Sequence, residues 1–143
     1  PISTGETEAF PSPALGEADE APFTRPTPLL AQGRALAPHV SAMMDVSDGL
    51  LIDAARLAKA SGLAAAIDTA AIPVSDAARA VLRGREDELL RWGDDYALLF
   101  TAPAECEPPV PAARIGAMVE GQPGTVRLDD AVLDPDAIGG YRH

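Results

Sequence analysis

Met44-Asp45-Val46-Ser47-Asp48-Gly49-Leu50-Leu51 places two carboxylates three residues apart, with a serine between them and a glycine directly after. The apolar stretch Ser41 to Asp45 leads into the run and has the composition of a strand. Beyond it, Leu50, Leu51, Ala54, Leu57 and Ala58 repeat at i, i+1, i+4, i+7 and i+8, the apolar stripe of a helix from about Gly49 to Ala60. Arg56, Lys59 and Asp53 fall largely off that stripe, and Gly62 supplies the C-terminal stop. Asp45 is thus expected at a strand end, with Asp48 and Gly49 at the first turn of a helix. Such a junction suits a divalent cation and a phosphate. Helix-start amides favour phosphate oxygens, and carboxylates are the hard oxygen ligands that Mg²⁺ prefers. A plainer role is open to the same residues, with Ser47 or Asp48 simply capping the helix.

Working outward, Thr27-Pro28 forms a favoured cap-and-first-residue pair for a helix over Leu29 to about Ala37, ending before Pro38. Leu63 to Asp68 reads as a strand, and Ile72-Pro73 ends the connection after it. Ser75 caps a short helix over Asp76 to Leu82, closed by Gly84, and a second helical piece covers Glu86 to Arg91. The apolar run Tyr96 to Thr101 has the character of a buried strand. Pro103 to Pro111 holds four prolines and reads as a surface loop. Ala113 to Val119 and Thr125 to Leu128 are further strands, joined through Gly121 to Gly124, with a turn at Asp129-Asp130. Strands and helices intermingle without a regular βαβ period, so the expected class is α+β, a mixed β-sheet packed against α-helices.

Residues 1–25 differ in kind. Pro1, Pro11, Pro13 and Pro22 alternate with Glu6, Glu8, Glu17, Asp19 and Glu20, a composition that predicts a flexible acidic, proline-rich linker or tail. Residues 26–143 then form the folded domain. The chain has 143 residues, of which 47% are apolar and only 4% aromatic, so its core is built from Ala, Leu and Val. A net charge of −11 argues against nucleic acid and against an anionic membrane surface as partners. Phosphates remain accessible to such a chain when Mg²⁺ reverses the local field. Cys106 is the single cysteine, and His39 and His143 are far apart, so neither a disulfide nor a Cys- or His-rich metal site is expected. With no apolar run of membrane-spanning length and no signal peptide visible, a cytoplasmic protein is the default.

A second polar cluster, Gly93-Asp94-Asp95-Tyr96, precedes the strand Tyr96 to Thr101. Adjacent carboxylates on an extended segment project to opposite sides, so one can reach a ligand while the other bonds to the protein; a solvated turn fits equally. Trp92, Met43 and Met44 read as packing residues. Cys106 has no adjacent base, and no Ser-His-Asp arrangement, phosphate-binding Walker loop or dinucleotide fingerprint occurs.

Taken in order, Met44 to Leu51, Leu57-Ala58, Ser61-Gly62, Ile67-Asp68, Ile72-Pro73 and Gly93-Asp94-Asp95-Tyr96 through Leu98-Leu99-Phe100 resemble the C-terminal half of the thiamine-monophosphate kinase family. Arg25-Pro26-Thr27-Pro28, Gly33-Arg34-Ala35-Leu36, Ile115-Gly116 and Gly140-Tyr141-Arg142-His143 fit the same pattern, so the resemblance covers about Arg25 to His143. Selenophosphate synthetases, of the same aminoimidazole ribonucleotide synthetase-like superfamily, carry a D-V-T-G-type run where this chain has Asp45-Val46-Ser47-Asp48. Aminoimidazole ribonucleotide synthetases carry a glycine-rich run there, and Asp48 is what favours the thiamine branch.

The resemblance implies ATP- and Mg²⁺-dependent phosphorylation of thiamine monophosphate to thiamine diphosphate. In that picture Asp45 and Asp48 help hold Mg²⁺, and Ser47 contacts the ATP phosphates. Asp94 matches a family glutamate that contacts the thiamine substrate, here either directly or through a water. Tyr141 matches an aromatic position that packs on the substrate. No catalytic side chain is required, since phosphoryl transfer is mostly positioning and charge neutralisation. The family's N-terminal domain, which carries most nucleotide contacts and the homodimer interface, has no match here. The chain is therefore expected to fold as the second domain and not to turn over alone. Two alternatives are a related ATP-dependent synthetase domain and a non-catalytic module that binds a nucleotide or a partner.

Overall fold

The computed structural model describes residues 6–9, 29–82, 88, 90–91, 97–133 and 138. In chain order these form β1 (Glu6–Ala9), α1 (Leu30–Leu36), β2 (Ala42–Val46), α2 (Leu50–Ala60), β3 (Ala64–Ile67), a 3₁₀ turn (Thr69–Ala71), α3 (Asp76–Leu82), β4 (Ala97–Ala102), β5 (Ala113–Val119), β6 (Val126–Leu128) and β7 (Ala131–Val132). The seven strands make one sheet in the order β2-β4-β1-β5-β3-β6-β7. Every neighbouring pair is antiparallel except β3 with β6. The class is α+β, a mixed sheet carrying helices, as the irregular alternation of elements implied.

Strand alternation decides which face each side chain serves. Along β4, Ala97 and Leu99 join the larger core, which α2 covers with Leu50, Leu51, Ala54, Leu57 and Ala58. Phe100 and Ala102 point the other way, into a smaller cluster with Leu36 of α1, alongside Leu98, Val40 and Met43. A strand covered on both faces reads as one continuous apolar run, which is why β4 was conspicuous in the sequence. In β2, Ala42, Met44 and Val46 belong to the α2 side and Met43 to the α1 side. By the same alternation Asp45 lies on the α1 side, where it is exposed.

Two differences from the sequence expectation concern the sheet. Glu6–Ala9, which falls within the span read as a linker, is a strand between β4 and β5, pairing Glu6 with both Ala102 and Ala117. Four residues, two of them glutamates, carry no apolar signature. Their contribution is backbone pairing that covers what would otherwise be two open strand edges. The linker expectation therefore does not extend to Glu6–Ala9. β7 was likewise not foreseen. It is two exposed residues long and turns back on β6 through Asp129-Asp130.

Other boundaries moved little. α1 begins at Leu30 with Leu29 in the cap position. The Ser75 hydroxyl accepts the Ala78 amide at 3.1 Å and so caps α3 as read. Thr27, Pro28, Gly84 and most of the helical piece placed at Glu86 to Arg91 lie outside the described residues. Among the described residues, no helix is long and apolar enough to cross a membrane.

Candidate functional site

The strand-to-helix junction after β2 is built on one glycine and one buried aspartate. Gly49 occupies the cap position of α2 with φ 123° and ψ 146°, a backbone conformation that only glycine adopts without strain. It turns the chain sharply enough for Leu50 and Leu51 to enter the core at once, at 6% and 0% exposure. Neither Ser47 nor Asp48 caps the helix through its side chain, since the cap residue is Gly49 and makes no side-chain bond. The cap runs in the opposite direction. Asp53, in the first turns of α2, reaches back so that its Oδ2 accepts the amides of Ser47 at 2.9 Å and Asp48 at 3.0 Å.

Asp53 is 0% exposed, although it lies largely off the apolar stripe of α2. A carboxylate so deep must have its oxygens satisfied. Its second oxygen, Oδ1, accepts from Arg56 Nη1 at 2.8 Å, and the same Nη1 forms an ion pair with Asp48 Oδ2. Arg56 thus bridges two aspartates while 43% of its side chain stays exposed; Asp48 is 11% exposed. The hydrogen bond to Asp48, then the one to Asp53 and the charge of both, hold the guanidinium above its ordinary pKa, against an opposing cost of burial.

This arrangement bears on each residue that the sequence singled out. Asp45 is exposed at the end of β2, and Ser47 is exposed one residue beyond the strand. Asp48 is nearly buried and faces Arg56. The amides of Ser47 and Asp48 are committed to Asp53, and that of Leu51 bonds to Leu90 O at 3.1 Å, so these three helix-start donors serve the protein itself. Asp94 and Tyr141 lie outside the described residues, as do Gly93, Asp95 and Trp92.

Asp53 and Arg56 were missed as site residues. A signal for the former was present, an acidic side chain in the opening turns of a helix that begins at a glycine, unable to cap itself. A reciprocal cap of this kind is related to the capping box, in which an acidic side chain reaches back over the helix start.

Mg²⁺ is bound through hard oxygens, commonly one or two carboxylates with water and substrate phosphates supplying the rest. The exposed Asp45 carboxylate and the Asp48 carboxylate are donors of that type. Among the described residues no group of three or more His, Cys, Asp or Glu side chains is arranged to hold a metal ion by itself. The donor set therefore fits a cation shared with a phosphate ligand.

A concavity of about 640 Å³ lies away from this junction, over β3 and β5, and is lined by Ala66, Asp68, Arg114, Gly116 and Asp129 among others. Two of its aspartates are engaged within the protein. Asp68 accepts the Ala70 amide at 2.9 Å, and Asp129 accepts both the amide and the hydroxyl of Thr69.

Fold and residues together define a family. The chain belongs to the AIR synthase related protein, C-terminal domain family, which matches residues 4–129 and so takes in β1 as well. Within that class, the proteins it is similar to include thiamine-monophosphate kinases. It is 45% identical over 84 residues to the one from Salmonella typhimurium, covering 55% of this chain and 25% of that protein. To the one from Halobacterium salinarum it is 35% identical over 118 residues, covering 81% of this chain and 41% of the other. Among solved structures it is similar to AaThiL complexed with AMPPCP and TMP, with a TM-score of 0.81 at 24% identity. That likeness covers 100% of this chain and 52% of AaThiL, and it is a likeness of fold. The chain spans about half, or less, of the length of the relatives it matches.

Proposed function

We propose that this chain is the C-terminal domain of a thiamine-monophosphate kinase, contributing part of a composite site that transfers a phosphoryl group from ATP to thiamine monophosphate. The observation that carries the proposal is the β2–α2 junction. It sets the exposed Asp45 and Ser47 on either side of Val46, where a strand ends, with Asp48 two residues before the helix. Asp45 and Asp48 hold Mg²⁺ together with the nucleotide phosphates. Ser47 contacts those phosphates through its exposed hydroxyl, since its amide is already taken by Asp53. Asp94 and Tyr141 contact the thiamine substrate. Support comes from the relatives named thiamine-monophosphate kinase and from AaThiL, whose complex contains an ATP analogue and TMP.

Most of the chemistry in such a transfer is positioning and neutralisation of phosphate charge, which needs cations more than a protein base. An acidic domain supplies this through the metal it holds. The remaining contacts, and the homodimer, belong in this proposal to an N-terminal domain corresponding to the length of the relatives that this chain does not cover.

Thiamine diphosphate formation from ATP, Mg²⁺ and thiamine monophosphate is the direct test. We expect no turnover by the 143-residue chain alone. In a protein that joins it to the N-terminal half of a thiamine-monophosphate kinase, we expect turnover that Asp45→Asn lowers about a hundredfold or more. Unchanged turnover in that variant removes Asp45 from the metal site, and a product other than thiamine diphosphate removes the substrate assignment.

A further inference from the structure

Asp53 and Arg56 are not among the residues assigned to metal, nucleotide or substrate. Asp53 is fully buried, and both its oxygens are occupied, Oδ2 by the Ser47 and Asp48 amides and Oδ1 by Arg56. It therefore has no acceptor directed at a ligand, and its work is to fix the backbone from which Asp48 projects. Arg56 is different. Its Nη1 is divided between Asp48 and Asp53, while close to half of its side chain is open to solvent.

Asp48, Asp53 and Arg56 carry formal charges that sum to −1, and Asp45, three residues before Asp48, is exposed at the end of β2. A guanidinium does not give up its proton in a protein, so a metal ion arriving at Asp48 meets the fixed positive charge of Arg56 on Oδ2 and competes with it for the carboxylate's negative charge. Asp53 cannot release Arg56, because a buried carboxylate stripped of its partner is strongly unfavourable.

We propose that Arg56 is the resident counter-cation of Asp48, that a divalent cation competes with it for that carboxylate, and that Asp53 is the positioning residue that retains Arg56 at the junction during the exchange. This rests on the reading of Asp45 and Asp48 as metal carboxylates. The site thereby avoids a bare acidic pair in the absence of metal, and metal binding is weakened by the cost of moving one guanidinium. The bond between Arg56 and Asp53, at 2.8 Å, acts as the tether on which the displaced side chain falls back.

The test is titration of the 143-residue chain with Mn²⁺ as the probe, reading free Mn²⁺ by electron paramagnetic resonance, so that no turnover is needed. Arg56→Gln removes the competitor and is expected to bind Mn²⁺ about fivefold to tenfold tighter than the unaltered chain. Arg56→Lys keeps a positive charge beside Asp48 and is expected to bind within about twofold of the unaltered chain. Asp45→Asn is expected to weaken binding about tenfold or more.

If Asp45→Asn weakens binding while Arg56→Gln binds no tighter than the unaltered chain, the exchange is wrong and the metal reading stands. Equal tightening by Arg56→Gln and Arg56→Lys also overturns the exchange, because the lost feature is then the guanidinium fork and not the charge. If Asp45→Asn binds Mn²⁺ as the unaltered chain does, the metal reading itself fails and this inference falls with it. Far-ultraviolet circular dichroism of each variant checks that the fold is kept, and Arg56→Met, which also removes the charge and carries the same expected tightening, takes the place of Arg56→Gln if that variant does not fold.

Discussion

The β2–α2 junction and the turn between β6 and β7 both use an aspartate to hold backbone amides, but at opposite depths. At the junction, Asp53 is 0% exposed, accepts two amides and needs Arg56 to balance its charge. At the turn, Asp129 is exposed and accepts the amide and hydroxyl of Thr69, sixty residues away in the chain. Water can replace the bonds at the turn when they break. Nothing replaces those at the junction. The same local chemistry is thus a stability determinant in one place and a light clasp in the other, because the cost of an unmet polar group depends on whether solvent can reach it.

The comparison breaks first at Asp53. Asp53→Ala leaves two amides without their acceptor and removes one of the two carboxylates that hold Arg56, and should cost about 2–4 kcal/mol in urea unfolding. A loss below 1 kcal/mol would show that the junction rearranges around the missing carboxylate. Gly116→Ala examines the sheet beneath the exposed turn. A Cβ there would sit 2.0 Å from the Ala66 carbonyl oxygen, a backbone atom that cannot move aside without disturbing the β3–β5 ladder. The expected cost is about 1–3 kcal/mol, read from the same unfolding curve.

At the turn itself Asp129→Ala should cost only about 1 kcal/mol. Asp129 adopts φ 54°, a region that asparagine tolerates well, so Asp129→Asn should stay within about 0.5 kcal/mol of the unaltered chain. If the two Asp129 variants matched Asp53→Ala in cost, depth would not be the deciding variable.

Legibility in the sequence follows the same physical divide. The α2 stripe, the two-sided burial of β4 and the Ser75 cap were readable, because each rests on local periodicity or on a local hydrogen bond. Glu6–Ala9 was not, because its place in the sheet comes from partners near residues 102 and 117 rather than from its own side chains. Asp53 lies off the apolar stripe, where charge on a helix usually marks the wet face, yet it is buried. Its burial follows from a backbone need that becomes visible only once the strand end and the helix start are set side by side. For the site, the sequence located the junction and its exposed Asp45 and Ser47, yet the pairing of Asp48 with Arg56 is a three-dimensional fact. The local pattern pointed to a divalent cation and a phosphate, whereas the substrate expectation came from family likeness alone.

The position of β1 has a consequence for how the chain reaches its fold. β1 precedes every other described strand, yet it pairs only with β4 and β5, so Glu6 must wait for Ala102 and Ala117 before it has any partner. Contacts of such long sequence separation are slow to form, since a large loop must close before any pairing rewards it. During synthesis, the earliest described strand therefore waits until β4 and β5 have been made. Until it pairs with them, β4 and β5 expose the edges at which a nascent sheet is most prone to pair with another chain.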